Sequence, residues 1–292
     1  MNLRQLLGQI VVAGLAICLA GAAGLAGQEK GEPAGKVRSH PRVKKETREG
    51  QRDKLSIGTL FFPRGLKREG TVPLFIHFHG GDWLPEVAAV EHGKTAVITV
   101  QLGSGSAVYA KPFADAKAFG NLLAEAEKTA GVKFGPITLT GWSAGYGAIR
   151  AILKNPDDYA RVDAVVLLDG MHAGYVKDAD AKGPAKLVPE HVDIFVKFAR
   201  DAVAEKKRFI VLHSQIVPGT YASTTETADY LLHHLKLERK ENKKVGPMLT
   251  QQLTEAGAGR FQVLGFEGDT AADHVDLLHA LPHYLKQVHA VE

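Results

Sequence analysis

Short apolar runs alternate with segments of helical spacing from Leu55 to the end of the chain. The runs cover residues 72–79, 95–102, 137–140, 162–168, 208–213 and 261–264, after an alternating segment at 55–63. Helical spacing occurs at 113–129, 146–154, 191–204, 225–237 and 274–288. Strands that are apolar on both faces and alternate with helices are typical of a parallel sheet covered on both sides. We therefore expect an α/β domain over 55–292, with a mostly parallel central sheet and helices on both faces. An antiparallel N-terminal edge hairpin turns through 64–70, and a small insertion at 170–207 follows the sixth strand.

The first 28 residues differ from the rest of the chain. They contain one charge, Arg4, and an apolar stretch at 10–20 followed by small residues. This pattern predicts a secretory signal peptide over 1–28 and a protein exported to the periplasm or the medium, with an uncleaved membrane anchor as the open alternative. Cys18, the one cysteine, lies inside this segment, so the mature chain would have no disulfide and no cysteine nucleophile.

Residues 29–54 are rich in charge and poor in apolar side chains. They hold nine Lys/Arg and five Asp/Glu, which predicts a disordered linker. Most of the net charge of +4 lies in this segment, so the remaining domain is close to neutral. A neutral domain argues against a nucleic-acid surface.

A serine lies where one predicted strand ends and a helix begins. The residues Gly141-Trp-Ser-Ala-Gly145 match the pattern G-x-S-x-G between the strand at 137–140 and the helix at 146–154. Small residues on either side allow a sharp turn that exposes the Ser143 hydroxyl at the carboxyl edge of the sheet. The alternative is a glycine-rich turn in which the serine has no role.

With this motif in this context, the sequence resembles the α/β-hydrolase family over most of residues 55–292. The family order is a serine nucleophile, then an acid, then a histidine. The resemblance implies that Ser143 is the nucleophile and that backbone N–H groups of Gly80, Gly81 and Ala144 border an oxyanion hole. The glycines belong to His79-Gly-Gly-Asp-Trp83, which looks like the HGG-type motif of the family.

The histidine and the acid are predicted from their places after strands. His274 ends the loop after the last predicted strand and is the expected general base. The loop after the strand at 208–213, where the family most often carries its acid, contains no carboxylate. Asp169, at the end of the preceding strand, is therefore the expected acid, with Glu226 as the alternative. The stretch Ser223-Thr-Thr-Glu226 also fits a capping box, which would give Glu226 a purely structural role.

No cofactor or metal is expected. His77, His79 and His172 are candidate zinc ligands by residue type, but no zinc-binding spacing occurs, and neither does a dinucleotide or phosphate loop. The resemblance implies an exported serine hydrolase that cleaves carboxylic esters, with small soluble acyl or carbohydrate esters favoured. The partner is then a small-molecule ester, without stable membrane insertion once the signal is cleaved. A serine peptidase of the same fold and an inactive binding protein remain as alternatives, and the oligomeric state is open.

Overall fold

The computed structural model describes residues 39–93, 95–177 and 184–289. The predicted signal peptide at 1–28 and the first part of the predicted linker lie outside the described residues. Within them, one sheet contains ten strands: β1 (Gly50–Lys54), β2 (Thr59–Pro63), β3 (Thr71–Phe78), β4 (Ala96–Val100), β5 (Lys133–Trp142), β6 (Val162–Leu168), β7 (Arg208–His213), β8 (Lys240–Val245), β9 (Gln251–Ala258) and β10 (Phe261–Phe266).

The strand order is β1-β2-β4-β3-β5-β6-β7-β10-β9-β8. The six central strands run parallel to one another; they are β4, β3, β5, β6, β7 and β10. β1 and β2 add an antiparallel edge on one side, and β9 and β8 add one on the other. The prediction of a mostly parallel sheet with an antiparallel N-terminal edge hairpin is confirmed. The hairpin at β8 and β9 was not predicted.

Helices cover both faces of this sheet. They are α1 (Trp83–His92), α2 (Ser106–Ala110), α3 (Ala118–Ala130), α4 (Tyr146–Lys154), α5 (Pro156–Arg161), α6 (Asp193–Val203), α7 (Thr224–Leu235), α8 (Ala271–His279) and α9 (Leu281–His289). Successive residues of a strand face opposite sides. Val165 and Leu167 of β6 pack in the larger core with helices α3, α4, α6 and α7, whereas Val166 and Leu168 pack in a second core with α1, α8 and α9. This arrangement is that of the α/β-hydrolase fold.

The last predicted helix, 274–288, is wrong as one element, because it consists of α8 and α9 with a break at Ala280. Pro282, in the first turn of α9, has no N–H to donate to the preceding turn and so favours a new helix start. Within the described ranges, no helix combines the length and apolarity needed to span a membrane.

The edge hairpin lies earlier in the chain than the sequence pattern indicates. Its strands are β1 and β2, joined at 55–58, whereas 64–70 leads across the sheet to β3. β1 therefore falls inside the segment predicted as a linker. Arg52 explains its order: its guanidinium donates to Glu86 of α1 at 2.8 Å from Nε and lies 4.6 Å from the Phe61 ring centroid. β1 has the composition of a linker because none of its five residues is buried at this edge of the sheet.

Residues 39–49 precede β1 and contact α8. His40 Nδ1 lies 2.6 Å from Asp276 Oδ2, and Arg42 Nε donates to Asp276 Oδ1 at 3.0 Å. A second Arg42 nitrogen donates to the carbonyl of Ala272 at 2.9 Å. Asp276 is fully buried, so this N-terminal arm supplies an arginine and a histidine as partners to a carboxylate inside the helix that also carries His274.

Candidate active site

Ser143 lies where β5 ends and a short 3-10 turn leads into α4. Its φ of 47° is in the left-handed region, which a non-glycine residue rarely adopts. A Cβ on Gly145 would lie 2.1 Å from the carbonyl oxygen of Phe78, so the turn passes directly against β3. Gly141 is less crowded, with a Cβ contact of 3.0 Å to the Ile149 side chain. The glycines therefore provide room for the turn, and the serine remains half-buried at the carboxyl edge of the sheet.

Asp169 directly follows β6, is buried, and also has a φ of 47°. Its Oδ1 accepts from the backbone N–H of Ser214 at 2.9 Å and from Thr224 Oγ1 at 2.6 Å. Its Oδ2 accepts from Ser214 Oγ and from His274 Nδ1, each at 2.7 Å. Burial alone would raise the pKa of Asp169, but the hydrogen bond and charge of His274, with the Thr224 and Ser214 donors, lower this pKa to about 2. The side chain is therefore a carboxylate at neutral pH.

The Asp169 loop contacts the serine turn. A Cβ on Gly170 would lie 2.6 Å from both the backbone N and the carbonyl O of Ser143. The two strands that carry these loops are neighbours, with Trp142 of β5 opposite Leu168 of β6. A glycine after the acid is therefore required for the two loops to lie side by side.

His274 lies in the first turn of α8, which begins with a capping box between Thr270 and Asp273. Because a carboxylate only accepts, the bond to Asp169 places the proton on Nδ1 and leaves the Nε2 lone pair of the neutral ring available. Trp142 holds the backbone of the same residue: its Nε1 donates to the His274 carbonyl at 2.9 Å, and the two ring centroids are 4.6 Å apart. The imidazole is thus fixed from two directions in the protonation pattern of a base.

The glycines predicted for the oxyanion hole differ in their hydrogen bonds. Gly80 and Gly81 both have positive φ, 107° and 93°. The Gly80 N–H donates to Gln101 Oε1 at 3.1 Å, whereas the Gly81 N–H has no partner in the part of the chain that the structure describes. Ala144 is the second residue of the 3-10 turn, where N–H groups lack an acceptor within the helix. The N–H groups of Gly81 and Ala144 are therefore the better pair of donors for an oxyanion, since the N–H of Gly80 already has an acceptor.

The carboxylate of Glu226, the alternative acid, is held by hydrogen bonds from neighbouring residues. Its Oε2 accepts from the backbone N–H and the hydroxyl of Ser223, each at 2.8 Å. The hydroxyl of Tyr175 donates to Oε1 at 2.8 Å. The predicted capping box of α7 is confirmed. The geometry thus brings Asp169, and not Glu226, into contact with His274.

The three histidines considered for zinc are each bonded to a different oxygen. His77 is buried, with Nδ1 2.8 Å from Thr140 Oγ1, and burial lowers its pKa to about 3. His79 Nδ1 lies 2.8 Å from the Tyr109 hydroxyl, and His172 Nδ1 lies 2.9 Å from a backbone carbonyl. Among the described residues, these three histidines do not form a group whose donor atoms lie close enough to share one ion.

One group among the described residues has donor atoms near enough to share a metal ion: His40, Asp273 and Asp276. Arg42 donates to Asp276 there. A metal ion would have to compete with this guanidinium, so the donor set fits an ion pair better than a metal centre.

Solved structures similar to this chain are esterases and hydrolases of the α/β-hydrolase type. A thermophilic esterase from the planctomycete Thermogutta terrifontis shares 16% identity over 79% of this chain and 88% of that chain, with a TM-score of 0.48. An acetyl xylan esterase from Aspergillus awamori shares 13% identity over 76% of this chain and 93% of that chain, with a TM-score of 0.44. A dienelactone hydrolase from Anabaena variabilis shares 13% identity over 82% and 96%, with a TM-score of 0.40.

No protein-family model matches the sequence, and no curated protein matches it. The roles of individual residues therefore rest on the geometry of the site.

Sequence reasoning missed the residues that support the acid and the histidine. Ser214 and Thr224 bind the carboxylate of Asp169, and Trp142 binds the backbone of His274. Ser214 had a recognisable signal, because it directly follows β7, beside the strand that ends at Asp169. Trp142 had none, because the contact joins residues 132 positions apart.

Proposed function

We propose that the protein is a serine hydrolase that cleaves carboxylic esters through an acyl-enzyme on Ser143. The observation that carries the proposal is the 2.7 Å hydrogen bond from His274 Nδ1 to Asp169 beside a serine turn with left-handed φ. A histidine oriented by a carboxylate has its other nitrogen available as a base. The left-handed serine turn between a strand and a helix is the local conformation of a nucleophile elbow.

In the proposed reaction, Ser143 Oγ bonds to the acyl carbon of the ester while His274 Nε2 takes the hydroxyl proton. The electron pair of the carbonyl bond moves to oxygen, where the N–H groups of Gly81 and Ala144 donate to it. Asp169 stabilises the imidazolium without accepting its proton. The tetrahedral intermediate then collapses, the bond to the alcohol oxygen breaks, and His274 returns the proton to that oxygen.

Water completes the cycle. His274 Nε2 removes a proton from a water molecule whose oxygen bonds to the acyl carbon, and the ester bond to Ser143 then breaks. His274 returns the proton to Ser143 Oγ, so a carboxylic acid leaves and the enzyme is restored. No redox partner or cofactor is required for this sequence of steps.

We further propose small soluble esters as substrates and export as the location. The region between β6 and β7 contributes α6 and short turns in its described residues, and α6 packs in the core through Phe195 and Phe198. A helix whose apolar side chains pack in the core favours access of small molecules to the site over docking of the protein onto a lipid surface. The proposal of export rests on the composition of residues 1–28 alone.

The test compares wild type with Ser143→Ala in labelling by a fluorophosphonate probe and in turnover of p-nitrophenyl acetate and p-nitroacetanilide. Ser104→Ala is the matched control, because Ser104 is an exposed serine in the loop after β4, at the same edge of the sheet. We expect labelling and acetate turnover that Ser143→Ala abolishes and Ser104→Ala leaves unchanged. A folded wild type that neither labels nor turns over would overturn the proposal, and faster anilide than ester cleavage would replace it with a peptidase.

A further inference from the structure

Two neutral histidines lie on either side of the serine along the sheet edge. His79 follows β3 and His172 follows β6, while Ser143 follows β5, which lies between those two strands. The His79 ring stacks on Trp142 with centroids 5.0 Å apart, and the same indole contacts the His274 ring with centroids 4.6 Å apart. His172 contacts the rings of Tyr146 and Tyr221. Neither imidazole has a part in the proton transfers proposed above.

The proton of His79 is fixed on Nδ1 by its hydrogen bonds. The Tyr109 hydroxyl donates its single hydrogen to the carbonyl of Gly103 at 3.0 Å and accepts from the Leu102 N–H at 3.2 Å. His79 Nδ1, 2.8 Å from the same hydroxyl, must therefore be the donor. Burial lowers the pKa of His79, and the electrostatic influence of the nearby His274 lowers it further. The ring is neutral, so its Nε2 is an acceptor.

The same reasoning applies to His172. Its Nδ1 lies 2.9 Å from the carbonyl oxygen of Ala222, which can only accept, so Nδ1 carries the proton. Burial is the main cause that lowers the pKa of His172, and His274 contributes in the same direction. This imidazole is neutral as well, and its Nε2 is an acceptor.

Both Nε2 atoms are open to the site. Across residues 39–93, 95–177 and 184–289, neither His79 Nε2 nor His172 Nε2 has a protein hydrogen-bond partner. Neither is among the buried polar atoms that lack a partner, in contrast to Nε2 of His77. Both acceptors therefore reach solvent, on residues that follow the two strands flanking the strand of Ser143. An apolar group bound there would remove water from two acceptors without replacing its hydrogen bonds, which is unfavourable.

We propose that Nε2 of His79 and Nε2 of His172 accept hydrogen bonds from hydroxyl groups of the alcohol part of the substrate. The preferred substrates are then esters of polyhydroxylated alcohols, such as acylated glycerol or acylated sugars. This inference rests on the proposed ester hydrolysis at Ser143 and adds the residues that select the leaving alcohol. Recognition of a hydroxyl by otherwise unpaired acceptors discriminates strongly against the analogue that lacks it.

The experiment measures kcat/KM by acetate release for two matched pairs of acetates. Monoacetylglycerol is compared with propyl acetate, and a methyl glucoside acetylated on its primary hydroxyl is compared with cyclohexylmethyl acetate. The quantity of interest is the ratio of kcat/KM for the hydroxylated ester to that for its apolar partner. The first pair tests glycerol as the alcohol, and the second pair tests a sugar. We expect a wild-type ratio of about tenfold or more in at least one pair.

The variants are His79→Asn and His172→Asn, because an asparagine amide can keep the donor that faces Tyr109 or Ala222 while it removes the acceptor at Nε2. Asparagine also tolerates the left-handed backbone of residue 79, whose φ is 72°. Each variant should lower the ratio by about tenfold, whatever happens to the absolute rates. The matched control is His234→Asn: its Nδ1 also lies 2.9 Å from a backbone carbonyl, but on the exposed face of α7. The control should keep the wild-type ratio.

Thermal unfolding of each variant establishes that it is folded before its ratio is read. A wild-type ratio near one in both pairs, or ratios that neither asparagine variant changes, would overturn the inference. In that case Ser143-dependent turnover of p-nitrophenyl acetate would leave the proposed function standing. A wild type that hydrolyses none of the acetates would overturn both.

Discussion

The substitution Asp169→Asn replaces one carboxylate oxygen with an NH2 group and keeps the shape of the side chain. The Ser214 backbone N–H can only donate, and it faces Oδ1. The amide oxygen must therefore occupy the Oδ1 position, so that the NH2 group faces Ser214 Oγ and His274 Nδ1. The hydroxyl can rotate and accept, but the His274 ring accepts at Nδ1 only if its proton moves to Nε2. A ring in that tautomer cannot take a proton from Ser143.

The expected loss of activity follows from the lost base, and the expected loss of stability follows from the lost charge. The wrong tautomer is expected to lower kcat/KM by about 10⁴-fold, which corresponds to about 5.5 kcal/mol. The pKa of Asp169 is lowered from 3.8 to about 2, which corresponds to about 2 kcal/mol of folding free energy at neutral pH. A carboxylate with a lowered pKa stabilises the folded state above its ordinary pKa. The contribution is lost as the pH falls from about 4 to about 2.

The assay is p-nitrophenyl acetate turnover combined with urea unfolding at neutral pH. Asp157→Asn is the matched control, because Asp157 is exposed in the first turn of α5. We expect Asp169→Asn to be folded, less stable than wild type, and nearly inactive, while Asp157→Asn resembles wild type in both measurements. Turnover of a folded Asp169→Asn within about tenfold of wild type would refute the tautomer argument. It would also return Glu226 to consideration as the acid.

Three further predictions concern stability. Gly145→Ala should lower the free energy of unfolding by about 2 kcal/mol or more because its Cβ meets a backbone oxygen at 2.1 Å. Gly120→Ala, in α3 with a nearest Cβ contact of 3.6 Å, should raise the free energy of unfolding by about 0.5 kcal/mol. Equal urea midpoints for these two variants would contradict the steric argument. Arg42→Ala should lower the free energy of unfolding by about 1–2 kcal/mol, because the fully buried carboxylate of Asp276 loses its arginine partner. Arg64→Ala, whose ion pair is about three-quarters exposed on both sides, should change less than about 0.5 kcal/mol, and equal losses in urea unfolding would refute the distinction. Burial lowers the pKa of His77 to about 3, so folding stability should fall as the pH drops below about 6.5. His77→Gln should reduce that slope by about one proton, or about 1.4 kcal/mol per pH unit, in urea unfolding between pH 6 and 4, and an unchanged slope would contradict the assignment.

The central sheet was predictable because its strands are buried on both faces. The run at 162–168 is apolar at six of its seven positions, the run at 137–140 alternates apolar residues with threonine, and a residue of the candidate site follows each run closely. Since the carboxyl ends of parallel strands meet at one edge, the sequence order of Ser143, Asp169 and His274 was enough to predict that they converge. The bond between Asp169 and His274 agrees with that expectation.

The antiparallel edges were not predictable by the same reasoning. β8 reads Lys-Glu-Asn-Lys-Lys-Val, and five of its six residues are exposed, so no hydrophobic period marks it as a strand. It exists because β9 pairs with it and β9 in turn pairs with β10. β1 is similar, since its order depends on an ion pair to α1. Partners that are distant in sequence leave no local pattern.

The sequence has no carboxylate directly after β7, where α/β-hydrolases most often carry their acid, and the geometry of the strand ends accounts for this difference. Leu168 and Leu212 are opposite each other in β6 and β7, and the Asp169 N–H donates to the Leu212 carbonyl at 2.9 Å. Asp169 and Ser214 therefore leave the sheet as neighbours, and the serine gives two of its donors to the carboxylate. An acid on either strand end can reach the same histidine, because adjacent strands are about 5 Å apart. The strand without the acid supplies two of the hydrogen bonds to Asp169, beside those from His274 and Thr224, so the two strand ends act together as the support of His274.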